Sequence, residues 1–342
     1  MKGTVSAIAR SCGLSTATVD RTLNDRPGVT PANRHRVMEA ALRLGYLPTV
    51  GGMALPSKPA KLEFFIPMGK NAFMCELGRQ IENYCGLLPL VASCQIHDLG
   101  IMSPSDLRPA VGRLAMDTKG VGIVALNRPS TRDALAEVVQ SGIRVVTLLS
   151  DVPAALRSAY VGLDNIVAGR TAALLMGRLL DRGSGRGTIA ILTGSRSYRG
   201  HEEREIGFRF VLSEGFPNLV VADAVEINDE SEGGYLAARN LLRGEADLVG
   251  IYCVGGGKSG VVRALKEVRR ARKPIFICHD LTTETRGFLV DDYVDVVIDQ
   301  NVRLIAEQTV TQLLGSIVST PPHPTIKHIE PRLIFRENMP AQ

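Results

Sequence analysis

The stretch Gly13-Leu14-Ser15-Thr16-Ala17-Thr18-Val19-Asp20-Arg21-Thr22-Leu23-Asn24 decides how the 342 residues of this chain are read. Gly13 supplies a sharp turn after a short helix that Thr4 can cap and whose apolar positions Val5, Ile8 and Ala9 recur at helical spacing. Ser15 caps the next helix, in which Val19 and Leu23 face inward while Thr16, Ala17, Asp20 and Arg21 point outward. A third helix follows by the same grammar, with Thr30 at the cap, Pro31 at the first helical position, Val37, Ala40, Ala41 and Leu44 as its apolar stripe and Gly45 at its end. Three short helices can close a small core, and the second then presents a short polar face with one arginine. This is the pattern of a helix-turn-helix whose second helix enters the major groove of DNA. A purely structural three-helix bundle has no reason to keep this spacing.

Charge agrees with that reading. The chain carries 40 Lys/Arg against 35 Asp/Glu, a net of +5. Residues 1–60 hold eight basic residues (Lys2, Arg10, Arg21, Arg26, Arg34, Arg36, Arg43, Lys58) against three acids (Asp20, Asp25, Glu39), so the whole excess sits where phosphates would lie. The six cysteines (Cys12, Cys75, Cys85, Cys94, Cys253, Cys278) include no Cys-x-x-Cys pair and mostly lie in apolar segments, which suits reduced thiols. The six histidines form no ligand-spaced cluster, so neither a metal nor a cofactor is expected. No apolar run reaches membrane-spanning length and the N-terminus leads straight into a polar, capped helix, so a cytoplasmic protein without a membrane partner is expected.

Residues 49–61 are rich in Gly and Pro and read as a linker. Beyond it, apolar runs at 62–67, 90–94, 121–126, 145–149, 188–192, 249–254, 275–278 and 294–298 look like buried parallel strands. Amphipathic segments such as 76–85, 107–116, 167–180, 203–212 and 260–269 lie between them, which gives a doubly wound α/β architecture.

The headpiece resembles that of the lac-repressor (LacI/GalR) family, whose signature runs from Ala-x-x-x-Gly-Val-Ser through Thr-Val-Ser-Arg and Asn to Tyr-x-Pro. Its stations here are Ala9, Gly13, Leu14, Ser15, Thr18, Val19, Arg21, Asn24, Val29, Arg34, Gly45, Tyr46 and Pro48. The resemblance implies that Thr16, Ala17 and Arg21 read base edges, that Ser15, Thr18 and Asn24 hold phosphates, and that Thr4 belongs to the same DNA-binding surface. Asp20 replaces the family's usual Ser, and its carboxylate could accept from a cytosine amino group or orient Arg21. In the family the linker becomes a hinge helix on operator DNA and wedges a leucine into the minor groove. Leu55 holds that station, while Gly51, Gly52 and Pro56 make such a helix costly to form.

The remaining chain resembles the type I periplasmic sugar-binding fold, in which two lobes clamp a ligand beyond the carboxyl ends of their strands. The resemblance implies ligand contacts from Asn71 and Phe73 after the first strand, Ser150 and Asp151 after the fourth, and Arg204 in Arg-Glu-Ile-Gly-Phe. It adds Asp229 at a station that is often aromatic, Asp280 after the strand ending at Cys278, and Gln300 at a lobe crossover. Where the fold usually offers Asn-Asp, this chain reads Gly255-Gly256-Gly257-Lys258, so the backbone of Gly256 can approach a ligand instead. The expected organisation is a headpiece at 1–48, a hinge at 49–60 and a two-lobed effector-binding and dimerisation domain at 61–342. The expected partners are double-stranded operator DNA, a sugar or polyol effector and a second copy of the chain.

Two rival readings are weaker. Gly-Gly-Gly-Lys-Ser at 255–259 suggests a nucleotide-binding loop, but Tyr252 stands where the motif requires its first glycine. Residues 182–187, Arg-Gly-Ser-Gly-Arg-Gly, precede a strand instead of following one and so make a poor dinucleotide fingerprint. No residue set stands out as catalytic, and a non-enzyme is expected. A transport-type sugar-binding protein would share the α/β half but lack the basic headpiece.

Overall fold

A computed structural model of the chain describes residues 4–341 apart from 25, 48, 51–52, 70, 101–106, 182–185, 246, 269–270 and 319–324. Its first helices are α1 (Val5–Cys12), α2 (Thr16–Leu23) and α3 (Pro31–Arg43). Each starts at the expected hydroxyl: Thr4, Ser15 and Thr30 accept the backbone N–H of Ala7, Thr18 and Asn33. Gly13 ends α1 in the left-handed region, φ 64°, which other residues adopt only with strain. Ile8, Val19, Val37, Ala40 and Ala41 close a separate small core between the three helices.

Strands β1 (Thr49–Val50) and β2 (Met53–Ala54) pair antiparallel, with Thr49 opposite Ala54 and Val50 opposite Met53. The segment that the family resemblance reads as a hinge helix is here a hairpin, and Gly51, Gly52 and Pro48 lie outside the described residues. Leu55, expected to reach a minor groove, is only 5% exposed and belongs to the core of the first lobe.

That lobe runs through β3 (Ala60–Ile66), α4 (Ala72–Leu87), β4 (Val91–Asp98), α5 (Leu107–Val111), β5 (Thr118–Ile123), α6 (Pro129–Gln140), β6 (Arg144–Leu148) and β7 (Ala159–Gly162). The chain then enters the second lobe through α7 (Asn165–Asp181), β8 (Gly187–Thr193), α8 (Arg199–Gly215), β9 (Leu219–Val221), β10 (Val225–Glu226) and α9 (Ser231–Gly244). It continues there with β11 (Leu248–Cys253), α10 (Lys258–Glu267), β12 (Ile275–His279), α11 (Thr283–Val290) and β13 (Val296–Asp299). Helix α12 (Val302–Val318) and strand β14 (Thr325–His328) return to the first lobe, and β15 (Arg332–Ile334) goes back to the second.

The first sheet is ordered β14-β7-β6-β5-β3-β4 and is parallel throughout. The second is ordered β10-β8-β11-β12-β13-β15, with β9 also on β8, and only β15 runs antiparallel. Both sheets are covered on two faces, which is why Phe64, Phe65 and Ile66 in succession are all fully buried in β3. Helix α5 is shorter than the expected 107–116, ending at Val111. The lobes are joined at three places: between β7 and α7, between β13 and α12, and between β14 and β15.

Candidate functional site

On the headpiece, Ser15, Thr16, Ala17 and Arg21 are exposed on one side of α2, while Val19 and Thr22 are buried on the other. Thr18 shares a hydrogen bond with the capping Ser15 hydroxyl at 2.9 Å. Asp20 does not orient Arg21. Its carboxylate accepts from the Asn24 amide at 2.7 Å and pairs with Arg26 at 3.2 Å, which fixes the end of α2. The Asn24 amide is thereby engaged within the helix, and Arg21 projects without contact to that acid.

The second candidate site is the cleft between the lobes, at the carboxyl ends of both sheets. It encloses about 40 Å³ and is lined by Asn71, Phe73, Ser150, Arg204, Asp229, Gly256, Asp280 and Gln300. All the sequence-expected ligand residues therefore meet there except Asp151. Asn71 caps α4 through its carboxamide oxygen, which accepts the N–H groups of Phe73 and Met74, and so has its NH2 to offer a ligand. Arg204 is 5% exposed; its Nε donates to Asn165 Oδ1 and its Nη1 to the Val254 carbonyl, both at 2.9 Å, which fixes the guanidinium among α7, α8 and β11.

Asp280 accepts from Gln300 Nε2 at 2.6 Å through one oxygen, and Lys258 Nζ stands 3.6 Å from the other. Lys258 also donates to the His279 carbonyl at 2.7 Å, which holds its charge beside the Asp280 carboxylate. Leu149, Asp229 and Asp280, all lining the cleft, have left-handed backbone at φ 62°, 58° and 67°. Strain of this kind persists where the surroundings hold it and concentrates at ligand sites. Ser150 Oγ and Gln300 Oε1 are buried and, among the described residues, have no hydrogen-bond partner.

Asp151 faces away from the cleft. Arg157 grips it with two bonds of 2.5 and 2.6 Å, and Thr147 Oγ and the Val152 N–H donate to the same carboxylate. Arg157 also donates to the Thr325 carbonyl at 3.1 Å, so the pair ties β14 to the lobe. The carboxylate is saturated by this chain, which corrects the expectation that it contacts ligand.

Tyr198 and His201 line the cleft and were not expected from the sequence. His201 lies three residues before Arg204, on the same side of α8, and that spacing is the signal that could have found it. Burial pushes its pKa below the usual 6.5, with the Asp229 carboxylate offsetting only part of the effect. Burial, with Asp229 nearby, likewise pushes the Tyr198 hydroxyl up to about 12. Beside Tyr198, Arg128 of the first lobe donates to Ser197 Oγ of the second and joins the two.

A family profile described as bacterial regulatory proteins, lacI family, matches residues 4–49, and one described as periplasmic binding protein domain matches residues 113–317. Catabolite control protein A of Priestia megaterium is 27% identical over 259 residues, 74% of each chain. The HTH-type transcriptional regulator DegA of Bacillus subtilis is 26% identical over 249 residues, 70% of this chain and 71% of its own. Among solved structures, an ABC transporter solute binding protein from Burkholderia graminis in complex with D-arabinose aligns with a TM-score of 0.72 at 22% identity, over 84% of this chain and 98% of that one. At that identity the structural likeness speaks for the fold.

Proposed function

Because the chain belongs to the lacI family of bacterial regulatory proteins, with a periplasmic-binding-protein domain behind its helix-turn-helix, it is a DNA-binding regulator of transcription, and we propose that it is a homodimeric repressor released from or secured on its operator by a sugar or polyol held between the lobes. Under this reading Arg21, Thr16 and Ala17 face base edges, and the cleft binds without catalysing. No described helix is long and apolar enough to cross a membrane.

The observation that carries the effector is the pair of unsatisfied buried atoms, Ser150 Oγ and Gln300 Oε1. Each such atom costs about 1–3 kcal/mol, and a ligand hydroxyl recovers that cost. One lies on each side of the cleft, so a ligand satisfying both favours a particular angle between the lobes.

Helix α12 begins two residues after Gln300, crosses the first lobe and packs against β2, next to Leu55. A change of lobe angle at Gln300 thus reaches the segment that leads to the headpiece. Ligand and operator are then coupled reciprocally, by about 1–3 kcal/mol as such couplings usually are. The test is an operator titration with and without a sugar or polyol found by thermal shift, on the wild type and on Asp280→Ala. Operator affinity should change with ligand in the wild type and respond less in the variant. An unchanged affinity at saturating ligand would sink the allosteric reading.

A further inference from the structure

Asp229 places a carboxylate where the sugar-binding fold often has an aromatic side chain, and the surrounding chain makes room for it. A Cβ on Gly194, Gly255 or Gly256 would come within 1.9, 2.3 or 2.8 Å of Asp229 atoms. Two segments, after β8 and after β11, thus omit side chains around one acid. The Gly256 N–H donates to one of its oxygens, and among the described residues Asp229 forms no ion pair.

The neighbouring cations are engaged elsewhere. Lys258 bonds the His279 carbonyl and stands beside Asp280, Arg204 bonds Asn165 and Val254, and Arg128 bonds Ser197. Burial lowers the pKa of His201 beside Asp229, with the carboxylate opposing it in part. Lys258 feels this carboxylate without pairing with it, so a ligand that fills the cleft displaces water from an anion that lacks a contacting counter-charge, which is unfavourable. The same cavity presents Ser150 Oγ and Gln300 Oε1, unpartnered atoms on residues that are each 3% exposed. An ammonium group supplies both the charge and several donors, and hydroxyls suit the two unpartnered atoms. Resting on the reading of the cleft as the effector site, we infer that the effector is an amino sugar or amino polyol whose protonated amine is held by Asp229.

The test is calorimetric titration of the full chain with D-glucosamine, D-glucose and N-acetyl-D-glucosamine and their galacto counterparts, on the wild type and on Asp229→Asn. Asn keeps the shape, tolerates left-handed backbone and can still accept the Gly256 N–H. Asp229→Ser is measured in parallel, with thermal melts to confirm that both variants fold. An amino sugar should bind tighter than its two neutral analogues by roughly tenfold or more, as a charge-assisted bond in place of a neutral one implies. That preference should disappear in both variants, and in the wild type as pH rises past the sugar amine's own pKa. A neutral sugar binding as tightly as the amine in the wild type, or an amine preference that survives in the variants, overturns the inference and leaves the cleft as the effector site. Failure of both amino sugars to bind the wild type overturns the inference, while the cleft reading falls only if the wider thermal-shift screen of sugars and polyols also finds no ligand that changes operator affinity.

Discussion

Removing the Asp151 carboxylate should unfold the first lobe more readily without deleting a ligand contact. In the wild type the Arg157 side chain is 3% exposed and that of Asp151 is 17% exposed, so Asp151→Ala leaves a guanidinium buried and unpaired. Breaking such a pair from one side costs about 3–5 kcal/mol, because the remaining charge keeps its desolvation cost and loses its partner. Thr147 Oγ and the Val152 N–H lose the same acceptor, but the three losses share one group and do not add. For a domain of this size about 1 kcal/mol shifts the melting temperature by roughly 2–4 °C, so the expected fall is about 6–20 °C. The double variant Asp151→Leu with Arg157→Met should recover most of that loss, since replacing a whole buried pair by apolar groups is often close to neutral. Thermal melts followed by circular dichroism measure both variants, and an effector titration on the single variant gives the second readout. If Asp151→Ala melted like the wild type but bound effector more weakly, Asp151 would be a ligand contact and its assignment to the lobe interior would be wrong.

Arg21→Ala should leave the melting of the headpiece unchanged, because Arg21 is exposed on α2, and should cost about 1–3 kcal/mol of discrimination at a single base position. Equal affinity and selectivity on a selected operator and its point variants would refute that role. Leu55→Ala should destabilise the first lobe by about 2–5 kcal/mol, as for other buried leucines, and the denaturation midpoint of the DNA-free protein measures it. An unchanged midpoint would show that Leu55 is not anchored in the lobe. Burial alone would raise the Glu63 carboxyl, but donation from Thr118, the Ala115 N–H and His97 outweighs it and holds the pKa below the usual 4.5. This carboxylate therefore stabilises the fold above pH 4.5, and that contribution is lost as pH falls through the lower folded value. Glu63→Gln should flatten the acid limb of the stability curve, and an unchanged limb would count against the cluster.

The parts of the fold that were legible in the sequence are those fixed by local chemistry. Thr4, Ser15 and Thr30 cap helices through bonds to residues three positions on, so their caps could be read without knowing the tertiary structure. Apolar runs buried on both faces, such as Phe64-Phe65-Ile66, marked the central strands. The strands β7, β9, β10, β14 and β15 have at most four residues each, too few to stand out from the chain around them, so their pairing depends on neighbours far away in sequence. The cleft-lining residues were legible by the rule that parallel strands end at the site, and the same rule misplaced Asp151. A carboxylate after a strand can turn back to a local cation, and Arg157, six residues on, is that cation.

The hinge shows how a matched position can acquire a different physical setting. Leu55 is at the family's station, yet the pairing of Thr49 with Ala54 and Val50 with Met53 leaves two glycines between the strands, a composition suited to a hairpin loop and poor for a helix. Pro56 removes a backbone donor directly after Leu55, which further disfavours helix. If Leu55 is to enter a minor groove, the hairpin must open and the side chain must leave the lobe core. The cost of that step is set by how firmly Leu55 is held in the core of the first lobe, to which Ile305, Ala306, Val310, Leu313 and Leu314 of α12 also belong. Because α12 starts two residues after Gln300 and shares the first-lobe core with Leu55, a ligand that shifts the helix would, under the proposed coupling, change how readily Leu55 is released. If Leu55 is the minor-groove contact that the resemblance implies, the lobe core and the operator would compete for one leucine.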